Sequence, residues 1–180
     1  MRGYVAALVL AGALALSGAS SAAAQGFDST TTDAGVVIGL GGISGASIAI
    51  GGRFEKAIKD LPDLGGGVLG IEAGLDWYHY NYTPSGIDYG GVTVIPVGVT
   101  ANYHFKLENR KIDPFLGLGL GYEHISWDCG VFNCSGAGSS GIYFVGRAGL
   151  RYYLTPKAAL YFDAGAGAAT IDVGVVVKLN

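Results

Sequence analysis

His124 and Ser126 lie two residues apart, a spacing at which a histidine in a strand could activate a serine hydroxyl on the same face. Acyl transfer would also need a carboxylate to orient the histidine and hydrogen-bond donors for the oxyanion. The sequence singles out no such carboxylate, and Trp127 follows Ser126 directly. Histidine and serine often occur at this spacing by chance, so the alternative interpretation is a histidine at the rim of the fold beside an interfacial tryptophan.

A second group of candidate residues is charged and shares one face of alternating runs with small residues. Its members are Arg53, Glu55, Glu72, Asp76, Glu123, Arg147, Arg151, Asp163 and Lys178. Unpaired charge is costly to bury, so we expect a paired network of both signs on this face. The structural interpretation is that the pairs fill the interior and fix the strand register. The functional alternative is a narrow, gated ion path through the same charges.

The chain contains two cysteines, Cys129 and Cys134, within a Gly- and Ser-rich stretch. In an exported protein such a pair is expected to form a disulfide. A metal site formed by both thiols with His124 or Asp128 is an alternative, but this spacing is not diagnostic of one. No nucleophile elbow, zinc motif or phosphate-binding glycine loop is present, and we expect no cofactor.

The elements that must position these residues are strands. Residues 116–123 alternate without a break, with Leu116, Leu118, Leu120 and Tyr122 on one face and glycine or Glu123 on the other. Large apolar side chains opposite a small and charged face predict a barrel wall whose apolar side faces lipid. Similar patterns predict eight strands: Val36–Gly42, Gly45–Glu55, Val68–Tyr80, Val92–Phe105, Ile112–Trp127, Ile142–Leu154, Ala159–Ala168 and Ile171–Leu179.

The segments between these runs predict an up-and-down barrel with both ends of the chain on one side. Asn81–Gly91 and Asp128–Gly141 are long and polar, as expected of outer loops, whereas the turns after the fourth and sixth runs are short. Ala57–Gly67 contains Pro62 and three consecutive glycines and is predicted to be a turn. Pro96 lacks a ladder donor, so a β-bulge is expected there.

The composition agrees with a membrane barrel. The chain is 50% hydrophobic with 14% charged residues, yet no apolar run of transmembrane-helix length follows residue 24. Residues 1–24 have the basic start, apolar run and Ala-rich end of a cleaved signal peptide. We expect residues 25–34 to be a flexible lead-in and residues 35–180 to form one barrel domain. No block of basic residues is present, so we do not expect the protein to bind nucleic acid.

Three segments resemble the outer-membrane β-barrel domain family that includes opacity-type and OmpA-like eight-stranded barrels. They are Asp113–Tyr122, Gly149–Pro156 and the closing Val173–Leu179. The resemblance implies an all-β, eight-stranded antiparallel transmembrane barrel in the outer membrane of a Gram-negative bacterium. It implies membrane lipid, lipopolysaccharide and the barrel-assembly machinery as partners. Members of the family usually end on an aromatic residue, whereas this sequence ends Leu179-Asn180.

These patterns predict a non-enzymatic, monomeric outer-membrane protein. Its role would be to stabilise the envelope or to present its long outer loops to surfaces or host ligands. One alternative is an outer-leaflet lipid A deacylase, because His124 and Ser126 are similar to the His-x-Ser of that enzyme family. Others are a narrow pore and a soluble lipocalin-like carrier, the last of which would need the two faces reversed.

Overall fold

A computed structural model of the protein describes residues 26–43, 45–83, 90–128 and 139–180. They form eight strands: β1 (Thr32–Leu40), β2 (Ala49–Leu61), β3 (Gly67–Asn81), β4 (Gly91–His104), β5 (Ile112–Asp128), β6 (Gly141–Tyr153), β7 (Ala158–Ala166) and β8 (Ile171–Lys178). Each strand pairs antiparallel with the next, and β1 pairs with β8, which closes the barrel. The predicted eight-stranded, up-and-down barrel is therefore confirmed.

The two ends of the barrel differ. We call the end that carries residues 62–66, 105–111 and 154–157, together with Gly26 and Asn180, the turn end, and the opposite end the loop end. Pro62–Leu64 forms a single 3-10 turn after β2. No helix in the described residues is long and apolar enough to cross a membrane.

The wall has its apolar side chains outside and its charges inside. Phe144 is 80% exposed and Leu118 75% exposed on the outer surface, whereas Arg151 and Glu55 are fully buried in the lumen. In a water-soluble barrel the arrangement would be reversed, so this outer surface suits the hydrocarbon core of a bilayer. Tyr103 and Tyr152 lie on the outer surface near the turn end, and Trp77 and Tyr122 lie nearer the loop end, as in aromatic girdles.

Inward glycines make room for large lumen side chains on the adjacent strand. Gly149 pairs with Phe115, and Gly121 pairs with Tyr143. A Cβ atom on either glycine would run into the ring of its partner. A narrow eight-stranded lumen can thus hold aromatic and charged side chains only where the neighbouring strand contributes none. This pairing explains why the small-residue face of the sequence is so rich in glycine.

Three strands extend further at the loop end than the others. Tyr78–Asn81, Gly91–Val94 and Ile125–Asp128 pair with one another beyond the last residue pair that joins β2 to β3. We call these three segments the protruding sheet. Its inner surface is apolar. The alternation of inward and outward residues in β3, β4 and β5 therefore continues into these three segments.

The structure corrects three predictions, one each about β1, β2 and β4. β1 begins at Thr32, inside the predicted lead-in 25–34, and β2 continues to Leu61 through part of the predicted turn. Pro96 pairs with Glu123 in an unbroken register with β5, so the predicted bulge is wrong. The register shifts instead between Ala57 and Lys59 of β2, and pairing with β3 resumes from Lys59 to Leu61.

Candidate functional site: the charged lumen and its two closures

Arg151 on β6 organises the charged cluster at the turn end of the lumen. Its guanidinium group donates to Asp33 on β1 at 2.7 Å and to Glu55 on β2, and lies 3.7 Å from Glu72 on β3. All four side chains are buried. The cation therefore joins carboxylates from three other strands and couples opposite sides of the barrel.

His104 at the end of β4 extends this cluster toward the turn end. Its two ring nitrogens lie 2.9 Å from Glu55 and 2.9 Å from Asp113, and both partners are buried. Asn102 donates its side-chain amide to Glu55 at 3.1 Å. With a carboxylate at each nitrogen, the imidazole ring is fixed in one orientation, and Glu55 is hydrogen-bonded to three side chains that belong to β4 and β6.

A second cluster lies closer to the loop end and contains two arginines. Arg53 donates to Asp76 at 3.0 Å and to Asp172 at 2.8 Å, and Arg147 donates to Asp163 and, at 3.0 Å, to the same Asp172. Asp172 therefore bridges both guanidinium groups. Arg147 also donates to the carbonyl oxygen of Ala169 at 2.6 Å, which ties the cluster to the short loop after β7.

Tyr161 on β7 lies between the two clusters. Its hydroxyl group donates to Asp163 at 2.6 Å, and Glu72 of the first cluster lies 3.5 Å away. A cavity of about 40 Å³ is lined by Glu72 of the first cluster, by the charged residues of the second cluster and by glycines, with Thr100, Tyr143, Val145 and Ala168. That volume accommodates one or two water molecules. The interior of the described barrel thus lacks the apolar pocket that a lipocalin-like carrier would need.

The segment before β1 closes the lumen at the turn end. Phe27 is buried, and its ring stacks on His104 with ring centroids 3.7 Å apart and planes inclined by 12°. The guanidinium carbon of Arg151 lies 5.1 Å from the centroid of the same ring. Lys178 donates to the carbonyl oxygen of Gly26 at 2.8 Å, and Thr31 is buried. These contacts hold residues 26–31 across the opening.

Asp28 stabilises the turn of this segment. Its carboxylate accepts hydrogen bonds from the backbone amide of Thr30 at 2.9 Å and from the Thr31 hydroxyl at 3.2 Å. Partial burial raises the pKa of the Asp28 carboxyl group, but these hydrogen bonds and the charge of Lys178 outweigh it, so the pKa lies below its usual value. The carboxylate form that holds the turn is therefore favoured at neutral pH.

An apolar cluster closes the lumen at the loop end. Tyr78, Val92 and Val94 point inward from the protruding sheet and pack with Ile43 from the loop after β1 and Ala169 from the loop after β7. All five are buried. The amide of Thr170 donates to the carbonyl oxygen of Gly41 at 2.9 Å, which joins these two loops directly. Among the described residues, the charged lumen is therefore covered at both ends.

The structure brings seven of the nine sequence-predicted lumen residues into the two clusters. Glu123 lies nearer the loop end, beside Pro96, and forms no ion pair within the described part of the chain. Lys178 lies at the turn end with its amino group 4.9 Å from the centroid of the Tyr153 ring.

Sequence reasoning missed four buried members of the network: Asp33, His104, Asp113 and Asp172. His104 and Asp172 lie on the inward face of recognised strands, so the alternation already contained the signal that places them in the lumen. Asp113 lies at the start of β5, and Asp33 lies within the predicted lead-in. Phe27 precedes every strand and has no periodic signal at all.

His124 and Ser126 both lie exposed on the outer face of β5, near the loop end. Each faces an outward residue of β4, namely Ile95 opposite His124 and Thr93 opposite Ser126. Within the described residues neither side chain has a carboxylate hydrogen-bonded to it, and Thr93 interacts instead with His79 at 3.0 Å. The pair therefore lacks the orienting carboxylate that acyl transfer requires.

Two further sequence predictions fall on residues that the structure does not describe. Cys129 and Cys134, the predicted disulfide partners and alternative metal ligands, lie outside the described residues, as does the predicted signal peptide. Among the residues that are described, no group of three or more His, Asp or Glu side chains has a geometry that could hold a metal ion.

No protein-family model matches the chain, and no curated protein matches its sequence. Among solved structures, it is similar to the N-terminal β-barrel domain of Pseudomonas aeruginosa OprF, with 18% identity, a TM-score of 0.48, and coverage of 83% of this chain and 98% of that one. It is also similar to Neisserial surface protein A, with 19% identity, a TM-score of 0.46, and coverage of 83% of this chain and 95% of that one. A third similar structure is Ail, the attachment invasion locus protein of Yersinia pestis, with 14% identity, a TM-score of 0.44, and coverage of 82% of this chain and 93% of that one.

The fold itself follows from strand order and side-chain direction. A closed, antiparallel, eight-stranded barrel with apolar side chains outside and ion pairs inside is the fold of the small outer-membrane β-barrels. The clusters of the lumen are part of that fold, and the exposed parts of the molecule are its outer surface and its two ends.

Proposed function

We propose that the protein is a non-enzymatic, monomeric barrel of the bacterial outer membrane that acts through the parts it exposes at the loop end. The observation that carries this proposal is the inverted wall, in which exposed apolar side chains surround buried, paired charges. Such a surface is stable only when lipid covers it. Outer-membrane lipid and the acyl chains of lipopolysaccharide are the proposed surroundings of this band, and the barrel-assembly machinery would insert it.

The covered lumen supports a structural or surface-interaction role over transport. An ion path would need a continuous aqueous route, whereas Phe27 covers the charged clusters at one end and Ile43 and Tyr78 cover them at the other. The paired charges instead tie together strands that are distant around the barrel, as Arg151 does for β1, β2 and β3. We therefore assign the lumen network to stability and register.

The protruding sheet supports a role at the loop end. It projects beyond the short strands β7 and β8, and the long polar segments 82–90 and 129–140 emerge from it. Short turns with termini on one side and long loops on the other are the usual orientation of outer-membrane barrels, with the loops outside the cell. The protruding sheet and these segments would then be the parts that meet surfaces or host ligands.

The first experiment is a heat-modifiability gel on protein extracted from fractionated cells. A folded, detergent-stable barrel migrates differently before and after boiling, and we expect this shift in the outer-membrane fraction. A soluble periplasmic protein without a heat-dependent shift would contradict the proposal. The same gel with and without reductant tests the proposed Cys129–Cys134 disulfide.

The surface role requires a second comparison on intact cells. We propose replacing residues 84–89 and 129–138 with Gly-Ser segments of equal length and measuring adhesion of cells to one another and to coated surfaces. We expect lower adhesion with an unchanged heat-dependent shift. Equal adhesion by the wild-type and replaced proteins would leave only the envelope-structural role.

A further inference from the structure

The exposed basic side chains of the barrel all lie at one end. Six exposed lysines and arginines surround the turn end, and we call them the basic ring: Lys56, Lys59, Lys106, Arg110, Lys111 and Lys157. Three exposed carboxylates share this end: Asp60, Asp63 and Glu108. The exposed side chains of the turn end are therefore net positive, although the chain as a whole has a net charge of −3.

The ring has no ion-pair partner among the residues that the structure describes. None of its six members forms an ion pair with a described residue, whereas each of the three lumen arginines pairs with at least two carboxylates. The lumen arginines are held by the fold, but the ring cations are free to meet charges outside the molecule. Unpaired exposed cations concentrate anions near the surface on which they lie.

The ring lies at the depth where lipid headgroups would be. Tyr103 and Phe105 pack edge to face with ring centroids 4.8 Å apart on the outer surface, and Lys106 follows them directly in the chain. Lys56 lies on the outer face opposite Ile71, one residue pair inside the bulge of β2. A long lysine side chain at such a position can cover apolar wall with its methylene groups while its amino group reaches the interface.

The loop end has the opposite character. The four segments that join strands there, residues 41–48, 82–90, 129–140 and 167–170, contain no lysine and no arginine. The exposed titratable side chains among its described residues are His79, His124 and Asp128, together with Tyr82. The asymmetry between the two ends is thus a property of the whole sequence and not of a single loop.

We propose that the basic ring binds the phosphate groups of anionic phospholipids in the leaflet that surrounds the turn end. This inference rests on the proposed membrane location, in which that leaflet is the periplasmic one. The ring would fix the depth and tilt of the barrel by phosphate contacts on one side of the membrane only. The loop end, which lacks lysine and arginine, would contact its leaflet through the apolar band and the girdle.

The test is the lipid selectivity of the reconstituted full-length barrel. Wild-type protein is folded into phosphatidylcholine vesicles, and spin-labelled phosphatidylglycerol and phosphatidylcholine are compared for association with the protein surface. We expect phosphatidylglycerol to associate about threefold or more tightly, and added salt to weaken this preference. The variant K106Q/R110Q/K111Q should lose about half of the preference, and replacement of all six ring cations by Gln should abolish it.

The control variant H79Q/H124Q changes the loop end and should retain the full preference. Inorganic phosphate at the concentration of the lipid should not displace the labelled lipid, since the ring binds headgroups held at the interface. Equal association of both lipids with the wild-type protein, or a preference that survives loss of the ring, would overturn the inference. Heat-dependent gel shifts show whether the wild-type protein and each variant fold in phosphatidylcholine vesicles. Failure of the wild-type barrel to fold would contradict the proposed function, whereas a folded barrel without lipid preference would contradict only the role of the basic ring.

Discussion

The Phe27 ring lies flat against the imidazole ring of His104, with centroids 3.7 Å apart, although the first three strands and most of β4 separate the two residues in the sequence. Arg151 approaches the same phenyl ring at 5.1 Å. A residue that precedes the first strand thus covers the charged cluster of the turn end and excludes water from it. The ion pairs of that cluster are consequently stronger than they would be in an open lumen.

Replacing Phe27 with Ala should destabilise the folded barrel by about 3 kcal/mol, the usual cost of removing a buried phenyl ring. Part of the cost comes from water reaching Arg151 and His104. Urea-induced unfolding in detergent micelles, followed by the fluorescence of Trp77 and Trp127, measures this loss. Phe105, which lies exposed on the outer surface at the same end, provides the control: F105A should cost clearly less. Equal losses would show that the Phe27 stack contributes nothing specific.

The structure shows why the sequence predicted some elements well and others poorly. β3 to β6 carry long uninterrupted alternation, and their observed bounds lie within one residue of the predicted ones. β1 lacks that signal at its start because Thr32 and Asp33 are polar on both faces of the strand. The closure by Phe27 depends on contacts with β4 and β6 that are distant in sequence, and no local pattern encodes such contacts. Pro96 misleads because its missing amide hydrogen predicts a bulge, whereas the strand keeps its register with β5 through this residue.

The wild-type barrel should show no stepwise conductance in planar lipid bilayers. Ions would have to pass the apolar cluster of Ile43, Tyr78 and Val92 and then the Phe27 stack, and each excludes water from the lumen. F27A opens only the turn end and leaves the apolar cluster at the loop end in place, so this variant should also show no conductance. Reproducible conductance steps from wild-type protein, absent from a mock preparation, would contradict the closed lumen and revive the pore interpretation.

Arg151 should be the most sensitive charged residue of the lumen. R151M leaves Asp33 and Glu55 buried without their shared cation, and an uncompensated buried charge costs about 3–5 kcal/mol. Adding E55Q removes one of the orphaned charges, so the double variant R151M/E55Q should recover at least about 1 kcal/mol relative to the additive expectation. The two single variants, the double variant and the exposed control K56M are compared by urea unfolding. Strictly additive losses would mean that the pair is not coupled.

Replacing His124 and Ser126 with Ala should leave the acylation of outer-membrane lipid A unchanged. The two side chains share the outer face of β5, but no described carboxylate orients the histidine. Mass spectra of lipid A from cells that express wild-type protein, H124A/S126A or an empty vector should therefore be identical. Loss of an acyl chain that depends on the wild-type protein and disappears in H124A/S126A would establish the deacylase alternative.

Substitution of two glycines on β6 compares the effect of an added methyl group on stability at the lumen face and at the lipid face. Gly149 points inward, and a Cβ atom there would run into the buried ring of Phe115 directly across the β5–β6 pair. G149A should therefore destabilise the barrel by about 1–3 kcal/mol, the usual cost of overpacking. Gly146 points outward, where a Cβ atom would meet only a Leu118 methyl group at 3.7 Å. G146A should be neutral or stabilise by up to about 1 kcal/mol, because alanine has less conformational freedom in the unfolded chain. Urea unfolding of both variants under the same conditions measures the difference, and a reversed order would contradict the assignment of the two faces.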